Sequence, residues 1–207
     1  MTFHFITYNN NMVATSIDPV GKKDPKEEIM KAALKLFTEK GYFNTSIADI
    51  RQLADVSTGT IYHYFKNKEA IADALFEEVV HSLEDSIREI RKLSNTFERL
   101  RAVVELFFEL AENEPEIMRF IVAVRHQEFL GNRPALSLSS PFQKLTQIME
   151  EGIRTGELRR MDPLVASGVF YGTVARMVLL RLEGVLEKRL EWYLLDTWTA
   201  IWRALSP

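Results

Sequence analysis

Apolar residues recur at helical spacing through most of the chain. In the first such segment they follow the i, i+3, i+4, i+7, i+8 spacing of one buried helix face, at Ile29, Ala32, Ala33, Leu36 and Phe37. Asp24 followed by Pro25 predicts where this helix begins, and Gly41 predicts where it ends. No segment alternates apolar and polar residues clearly enough for a strand, so the pattern predicts an all-α fold.

Two short helices are predicted next. The first begins at Thr45 or Ser46, both good N-caps, and ends at Asp55. The second is capped by Ser57 and runs from about residue 58 to residue 64. The three-residue turn between them is typical of a helix-turn-helix, in which the second short helix enters the major groove of DNA.

The rest of the chain predicts six longer helices, for a total of about nine. The fourth helix runs from residue 67 or 68 to about residue 93 and would be roughly 39 Å long. The others are predicted near residues 96–112, 115–129, 140–156, 163–183 and 186–205. The domain prediction is therefore a flexible N-terminal arm at 1–23, a helix-turn-helix domain at 24–68 and a helical domain at 69–207.

The charge distribution agrees with a protein that contacts phosphate at one end. Residues 22–68 contain nine basic and six acidic side chains, whereas residues 69–207 contain 17 basic and 22 acidic ones. The chain has no cysteine, which excludes disulfides and fits a cytoplasmic location. The sequence shows no apolar run near the ~18 residues that a membrane helix needs, so no membrane partner is expected.

The third helix carries the candidate DNA contacts. Gly59 lets the backbone approach the duplex, and Thr60 offers a hydroxyl to phosphate and a methyl group to thymine. The aromatic run and the start of the next helix can also reach phosphates or bases. The candidates are Ser57, Thr58, Gly59, Thr60, Tyr62, His63, Tyr64 and Lys68. The alternative, internal packing, is expected for Phe65 and for part of Tyr64.

These residues carry a family resemblance. The stretch from Ile29 to Ala70, IMKAALKLFTEKGYFNTSIADIRQLADVSTGTIYHYFKNKEA, resembles the N-terminal domain of the tetracycline-repressor (TetR/AcrR) family of bacterial transcriptional regulators. The resemblance implies that Thr45 or Ser46 holds a phosphate at the start of the second helix. It also implies base or backbone contacts from the third helix, and phosphate contacts from Tyr62, Tyr64 and Lys68.

Two positions depart from the family pattern. Asp55 stands where the turn normally has glycine, and it tolerates the left-handed conformation better than most residues. Arg51 stands where the family normally has a small alanine. Its guanidinium is expected either to contact phosphate or to pair with Asp55 one turn later.

The last two helices are expected to form a homodimer interface, as they do in the family. Small residues on the eighth helix permit close approach of another helix, and the ninth carries large apolar residues at spacings of three and four. A dimer is also what a palindromic operator requires. The interface candidates are Gly168, Gly172, Ala175, Leu190, Leu194, Trp198 and Ile201. The alternative is that the tryptophans belong to the core of one subunit.

The resemblance further implies a small-molecule pocket among the fourth to eighth helices. Its candidate lining combines aromatic, methionine and aliphatic side chains with one cation that could clamp an anionic ligand. These residues are Phe107, Phe108, Met118, Ile121, Val122, Arg125, Phe129, Met149, Phe170, Tyr171 and Met177. For each apolar member the alternative is ordinary core packing.

The chain contains no nucleophile motif, phosphate-binding glycine loop or metal-ligand spacing, so an enzyme, a metal site and a cofactor are not expected. The prediction is a dimeric DNA-binding transcriptional regulator, a repressor that a small-molecule ligand releases from its operator. The alternative is a DNA-binding scaffold without a pocket, controlled by a protein partner or constitutive.

Overall fold

The computed structural model describes residues 24–124, 136 and 139–207, and all regular structure in these ranges is helical. The arm predicted at residues 1–23 lies outside the described residues. The helices in chain order are α1 Pro25–Glu39, α2 Ile47–Ala54, α3 Thr58–Tyr64, α4 Lys68–Ile90, α5 Thr96–Asn113, α6 Pro115–Val122, α7 Ser140–Thr155, α8 Pro163–Leu182 and α9 Leu194–Leu205. This order confirms the predicted all-α class.

The first three helices form the N-terminal head, and their ends follow from local chemistry. Asp24 caps α1 by accepting a hydrogen bond from the Lys26 backbone N–H. Ser46, and not Thr45, caps α2, in a reciprocal capping box with Asp49. Asp55 adopts the left-handed conformation with φ 53° in the turn before α3, which confirms the conformation predicted for it.

Helix α4 joins the head to the C-terminal body. The apolar residues that recur along it at spacings of four and three are all buried, namely Ile71, Leu75, Val79, Leu83, Ile87 and Ile90. The helix has 23 residues and ends at Ile90, three residues before the predicted end, so its length is about 35 Å. It packs on α1 at the head and on α5 and α7 in the body, around a core that runs through both parts.

Two helix boundaries differ from the prediction. Helix α6 ends at Val122 rather than near residue 129, and no glycine or proline at that point marks its end in the sequence. Helix α9 begins at Leu194 rather than near residue 186, after a short 3₁₀ helix at Leu190–Tyr193.

A buried carboxylate explains the late start of α9. Glu112 on α5 accepts hydrogen bonds from Arg181 Nε at 2.8 Å and from the backbone N–H of Leu190 at 2.9 Å, while Arg181 Nη1 donates to the carbonyl of Leu186. The Arg181 guanidinium holds the pKa of Glu112 below its usual value. Because these side chains bind the backbone of 186–190, that segment does not form the helical hydrogen bonds predicted for it.

Gly152 marks the closest packing in the body. It lies in α7 opposite the first turn of α5, where an added Cβ would lie 2.8 Å from Thr96 Cγ2 and 2.9 Å from Leu158 Cγ. Such distances are shorter than van der Waals contact, so only glycine lets these segments approach this far.

Helix α8 contradicts the conclusion from the sequence that the chain has no apolar run long enough to cross a membrane. Its 20 residues are long and apolar enough to cross a membrane by length and composition, although it packs against α5, α6, α7 and α9. Only 28% of its apolar window is buried within the described chain. A large part of its apolar surface is therefore not covered by the described residues.

Candidate DNA-binding surface and effector cavity

Helix α3 is held to the head by its apolar side and presents the rest to solvent. Ser57 caps it, accepting a hydrogen bond from the backbone N–H of Thr60 at 3.0 Å. Ile61 and Phe65 are buried beneath it. Five of the seven helix residues are exposed and Thr60 is half-buried. The exposed residues are Thr58, Gly59, Tyr62, His63 and Tyr64.

The aromatic residues of α3 do not pack inward. Tyr62 is 56% exposed and Tyr64 is 39% exposed. The rings of His63 and Tyr64 meet edge to face, with their centroids 4.9 Å apart. A short helix with its hydroxyl, imidazole and phenol groups facing outward has the donors and acceptors that reading DNA requires.

The structure corrects the prediction that Thr45 could hold a phosphate, because Thr45 is buried. It is 2% exposed, and its hydroxyl donates to the carbonyls of Gly41 at 2.9 Å and Leu36 at 3.3 Å. Its hydroxyl is therefore used to join α1 to the start of α2. Ser46, the exposed member of the pair, remains the candidate at this position.

Lys68 also has a contact that the sequence did not reveal. Its ammonium donates to the carbonyls of Tyr42 and Thr45, both at 2.8 Å, and lies 4.1 Å from the centroid of the Tyr42 ring. Since two of its three protons are used, Lys68 joins the first turn of α4 to the loop between α1 and α2. We assign it this structural role in place of the predicted phosphate contact.

Arg51 is exposed on α2. Among the ion pairs of the described residues none joins Arg51 to Asp55, so the predicted pairing is not formed. A phosphate contact is the remaining expectation for its guanidinium.

The body contains an apolar cavity with a volume of about 150 Å³. Its walls come from α5, α6, α7 and α8, together with Leu136. The described lining residues are Phe107, Met118, Ile121, Val122, Leu136, Phe142, Tyr171, Val174 and Ala175. The body is therefore not packed solid, in contrast to the scaffold alternative.

Five of the predicted pocket residues line this cavity: Phe107, Met118, Ile121, Val122 and Tyr171. Three others, Phe108, Met149 and Phe170, belong to the buried core and are not among the residues that line this cavity. Met177 lies on α8 outside the cavity lining. Arg125 and Phe129 lie outside the described residues.

Sequence reasoning missed four lining residues: Leu136, Phe142, Val174 and Ala175. A signal for two of them was present, since Tyr171, Val174 and Ala175 lie at the i, i+3, i+4 spacing of one face of α8. Ala175 had been predicted for the dimer interface, and the structure places it at the cavity. Nothing in the pattern distinguished Phe142 from a core residue.

One of the lining residues, Tyr171, carries a polar atom without a partner. The hydroxyl of Tyr171 is buried and has no hydrogen-bond partner in the described structure. Burial raises the pKa of this phenol, so it is protonated and remains a hydrogen-bond donor at neutral pH.

The predicted dimer residues separate into two groups. Leu190, Trp198 and Ile201 are buried within one subunit, so their assignment to the interface is a correction. Trp198 stacks on Trp202 at a centroid distance of 5.5 Å. These aromatic residues pack in the core because α9 lies across α5 and α8.

Gly168 and Gly172 remain outward-facing, with no atom within 4 Å of an added Cβ. They lie one helical turn apart on a face of α8 that begins with Leu164, which is 75% exposed. Leu195, 74% exposed on α9, and the half-buried Leu194 lie at the start of the neighbouring helix. We call Leu164, Gly168, Gly172 and Leu195 the α8–α9 face. The four-residue spacing of its α8 members was the signal for Leu164, which sequence reasoning missed.

Comparison with known proteins agrees with this geometry. The model of the family described as bacterial regulatory proteins, tetR family, matches residues 29–75. The fatty acid metabolism regulator protein of Bacillus subtilis (strain 168) is 30% identical over 162 residues, covering 76% of this chain and 84% of that protein. The chain belongs to the tetR family of bacterial regulatory proteins.

Two solved structures extend the likeness to the body. FadR from Bacillus subtilis, in complex with stearoyl-CoA, is 26% identical with a TM-score of 0.62, covering 84% of this chain and 96% of that one. AibR in complex with isovaleryl coenzyme A and operator DNA shares the fold, with 22% identity, a TM-score of 0.65 and coverage of 75% and 86%. The chain is accordingly a helix-turn-helix transcriptional regulator and not an enzyme.

Proposed function

We propose that the chain is a homodimeric, cytoplasmic repressor that a small molecule releases from a palindromic operator. In this proposal residues 24–68 read DNA and residues 69–207 bind the effector and the second subunit. The base and backbone contacts come from Ser57, Thr58, Gly59, Thr60 and His63, and the phosphate contacts from Ser46, Tyr62 and Tyr64.

The observation that carries the proposal is the connection between the cavity and α4. Helix α7 supplies Phe142 to the cavity wall, and the same helix is joined to α4 by ion pairs. Lys144 Nζ lies 3.0 Å from Glu84 Oε1, and Arg91 Nη2 lies 2.7 Å from Glu151 Oε1. A ligand that displaces α7 would therefore displace α4, whose first residue follows α3 after three residues.

A second connection passes through α6. This helix supplies Met118, Ile121 and Val122 to the cavity and packs against α1 of the head. Both connections favour coupling between an effector and the spacing of the two reading helices. Coupling free energies of this kind are typically about 1–3 kcal/mol, or a 5- to 150-fold change in affinity.

The cavity also favours an effector over the scaffold alternative, since a solidly packed body would leave no site. Because the FadR structure contains stearoyl-CoA, acyl-CoA thioesters are the first effector class to test for this chain. The ligand of FadR determines only which compounds are tested first.

The α8–α9 face supports the dimer. Exposed leucines beside glycines form a surface that another helix can approach closely, and exposed apolar patches of this kind mark interaction sites. A second copy of the chain supplies the same surface in a two-fold arrangement, and two heads are what an operator with two half-sites requires.

The first experiment selects genomic DNA fragments with the purified protein at low and high salt. We expect a palindromic site whose affinity falls steeply with salt, as phosphate contacts require. Adding acyl-CoA thioesters of increasing chain length to the bound site should then lower the affinity for at least one length. Sequence-indifferent binding alone would contradict the repressor proposal, and an operator complex that no effector alters would favour the scaffold alternative.

The dimer is tested separately with the double variant Leu164→Glu/Leu195→Glu. Light scattering after size exclusion should give a monomer, and operator affinity should fall because the two half-sites are no longer bound together. Phe43→Glu is the control for the light-scattering measurement and should stay dimeric, since Phe43 is 70% exposed but lies in the head. A double variant that stays dimeric would show that the subunits meet elsewhere.

A further inference from the structure

We propose that Glu84 is a positioning residue for DNA reading, because its carboxylate holds the N-terminal end of α7 and thereby fixes the angle at which α4 carries the head. This inference rests on the proposed function and deepens it, since it names the contact on which the coupling between the cavity and the head depends.

Helix α7 begins without a side-chain cap of its own. Ser139 is its N-cap residue and makes no side-chain cap. The Ser139 hydroxyl donates instead to the carbonyl of Leu136, at 2.6 Å. The first backbone N–H groups of a helix have no partners inside the helix, and their dipoles favour a negative charge nearby. A carboxylate supplied by another helix is therefore stabilising at this point.

Glu84 supplies this carboxylate from α4. It accepts hydrogen bonds from the hydroxyl of Ser140, the first residue of α7, and from Lys144 Nζ at 3.0 Å in the following turn. The Ser140 hydroxyl holds the pKa of Glu84 below its usual value, and Lys144 adds to this effect, so the side chain is charged at neutral pH. The contact therefore joins the middle of α4 to the start of α7.

A second contact between the same two helices is built differently. Arg91, the C-cap of α4, donates to Glu151 Oε1 at 2.7 Å and to Gln147 Oε1 at 3.1 Å. Arg99 of α5 donates to Glu151 Oε2 at 3.3 Å and to the carbonyl of Leu93 at 3.0 Å. Three helices therefore meet at Glu151, and the loss of one hydrogen bond leaves the others. We call Arg91, Arg99 and Glu151 the Glu151 joint.

The difference between the two contacts determines how α4 can move. Glu84 lies about two helical turns nearer the head than Arg91. With both contacts formed, α4 is held to α7 at two points and its angle is fixed. If the Glu84 contact opens while the Glu151 joint holds, α4 can tilt about its C-terminal end.

The Glu84 contact is also the one that the cavity can reach. Phe142 lies between Ser140 and Lys144 in α7 and lines the cavity, so an effector that displaces Phe142 acts on the part of α7 that Glu84 holds. The side chains of Glu84 and Lys144 are 24% and 35% exposed, so water can replace their contact when it opens.

The first test measures the position of the head without DNA and without an effector. Because the chain has no cysteine, Lys66→Cys in the head and Glu150→Cys on α7, both at exposed positions, each take one spin label. Dilution with an excess of unlabelled protein makes the distance within one subunit the one that electron paramagnetic resonance records. We expect Glu84→Gln to shift or broaden this distance by about 2–4 Å, as a tilt of about 5° over a helix of about 35 Å gives.

Glu89→Gln is the matched control. Glu89 lies on the same helix and also pairs with a lysine, Lys92 at 2.7 Å, but that lysine is three residues later in the chain. The control should keep the wild-type distance. If Glu84→Gln melts within a few degrees of the control and also keeps the wild-type distance, the proposal is overturned. Should Glu84→Gln not fold, Lys144→Met removes one of the two hydrogen bonds and should give a smaller shift; no shift would overturn the proposal equally.

An exchange of the two charges separates a carboxylate at the start of α7 from a simple ion pair. Glu84→Lys/Lys144→Glu restores opposite charges, but it places a cation beside Ser140 and the first turn of α7. We expect the head to stay displaced, as in Glu84→Gln. A wild-type distance in the exchanged variant would show that an ion pair is sufficient and would overturn the role of the carboxylate.

Operator affinity separates this inference from the proposed function. Glu84→Gln should bind the selected operator roughly 3- to 10-fold more weakly than wild type, and Glu89→Gln equally. A changed distance with unchanged operator affinity would overturn the proposed role in DNA reading. A changed distance in a protein that selects no operator leaves the contact of Glu84 standing, and the repressor proposal fails. An unchanged distance in a protein that an effector releases from its operator overturns the role of Glu84 and leaves the repressor proposal standing.

Discussion

Replacing Lys68 by methionine tests whether this residue holds the head together or grips DNA. Methionine keeps an unbranched side chain of similar length and removes the ammonium. The variant loses two 2.8 Å hydrogen bonds, to the carbonyls of Tyr42 and Thr45, and the contact with the Tyr42 ring.

The magnitude follows from these contacts. A hydrogen bond from a charged group contributes about 1.5–3 kcal/mol, and a cation over an aromatic ring adds about 0.5–1 kcal/mol at a partly exposed site. Because Lys68 is half-buried and water can reach part of the site, we expect a loss of about 2–4 kcal/mol. For a chain of this size that lowers the melting temperature by roughly 5–15 °C.

The assay is urea unfolding followed by circular dichroism, combined with operator titrations at several salt concentrations. Lys66→Met is the matched control, because Lys66 is exposed two residues earlier, and its stability should change by no more than about 0.5 kcal/mol. A Lys68→Met variant of unchanged stability, with a salt dependence of operator affinity reduced by about one phosphate contact, would refute the structural role.

Two further predictions concern the body. Gly152→Ala should destabilise the protein by about 1–3 kcal/mol in thermal unfolding, because the added Cβ has no room. The control Gly168→Ala, with open space around it, should unfold at the same or a higher temperature. Equal effects of the two substitutions would contradict the packing argument. The pKa of Glu112 is lowered in the folded state, so its contribution is present above the unfolded value of 4.5 and is lost as the pH falls through the lower folded value. Glu112→Gln should therefore be less stable than wild type near neutral pH, and the difference should shrink in urea titrations at roughly pH 3; a difference independent of pH would assign the effect to shape rather than charge.

Local signals account for the parts of the fold that the sequence predicted well. Asp24, Ser57 and Asn67 cap helices with side chains that belong to the helix ends themselves. The apolar spacing of α4 is equally local, since it depends on one helix period. Such features need no knowledge of the tertiary structure.

Long-range contacts account for the errors. The late start of α9 depends on Glu112, which lies 78 residues before Leu190. Lys68 is engaged by carbonyls more than 20 residues earlier. Neither composition nor helical period identifies these partners. A basic residue at the start of a helix therefore predicted a phosphate contact, whereas in the fold Lys68 binds two backbone carbonyls.

The same limit applies to the cavity and the interface. An apolar residue such as Phe108 has the same pattern as Phe107, and only the direction of packing separates the core from the cavity wall. On α9 the large residues at three- and four-residue spacing turned out to face their own subunit. The glycines of α8 face away from the described part of the chain, and their place in the dimer interface stays a prediction.

The ion pairs between α4 and α7 give α4 the mechanics of a lever. They begin at Glu84, so the 16 residues before it, down to Lys68, form an arm of about 24 Å that carries the head. A tilt of about 5° at the Glu84 end moves the other end by about 2 Å. In the proposed dimer, two subunits tilting in opposite directions would change the distance between their reading helices by about 4 Å. Since half-sites are about 34 Å apart, a rotation too small to disturb the body's packing is enough to move one head out of register with its groove.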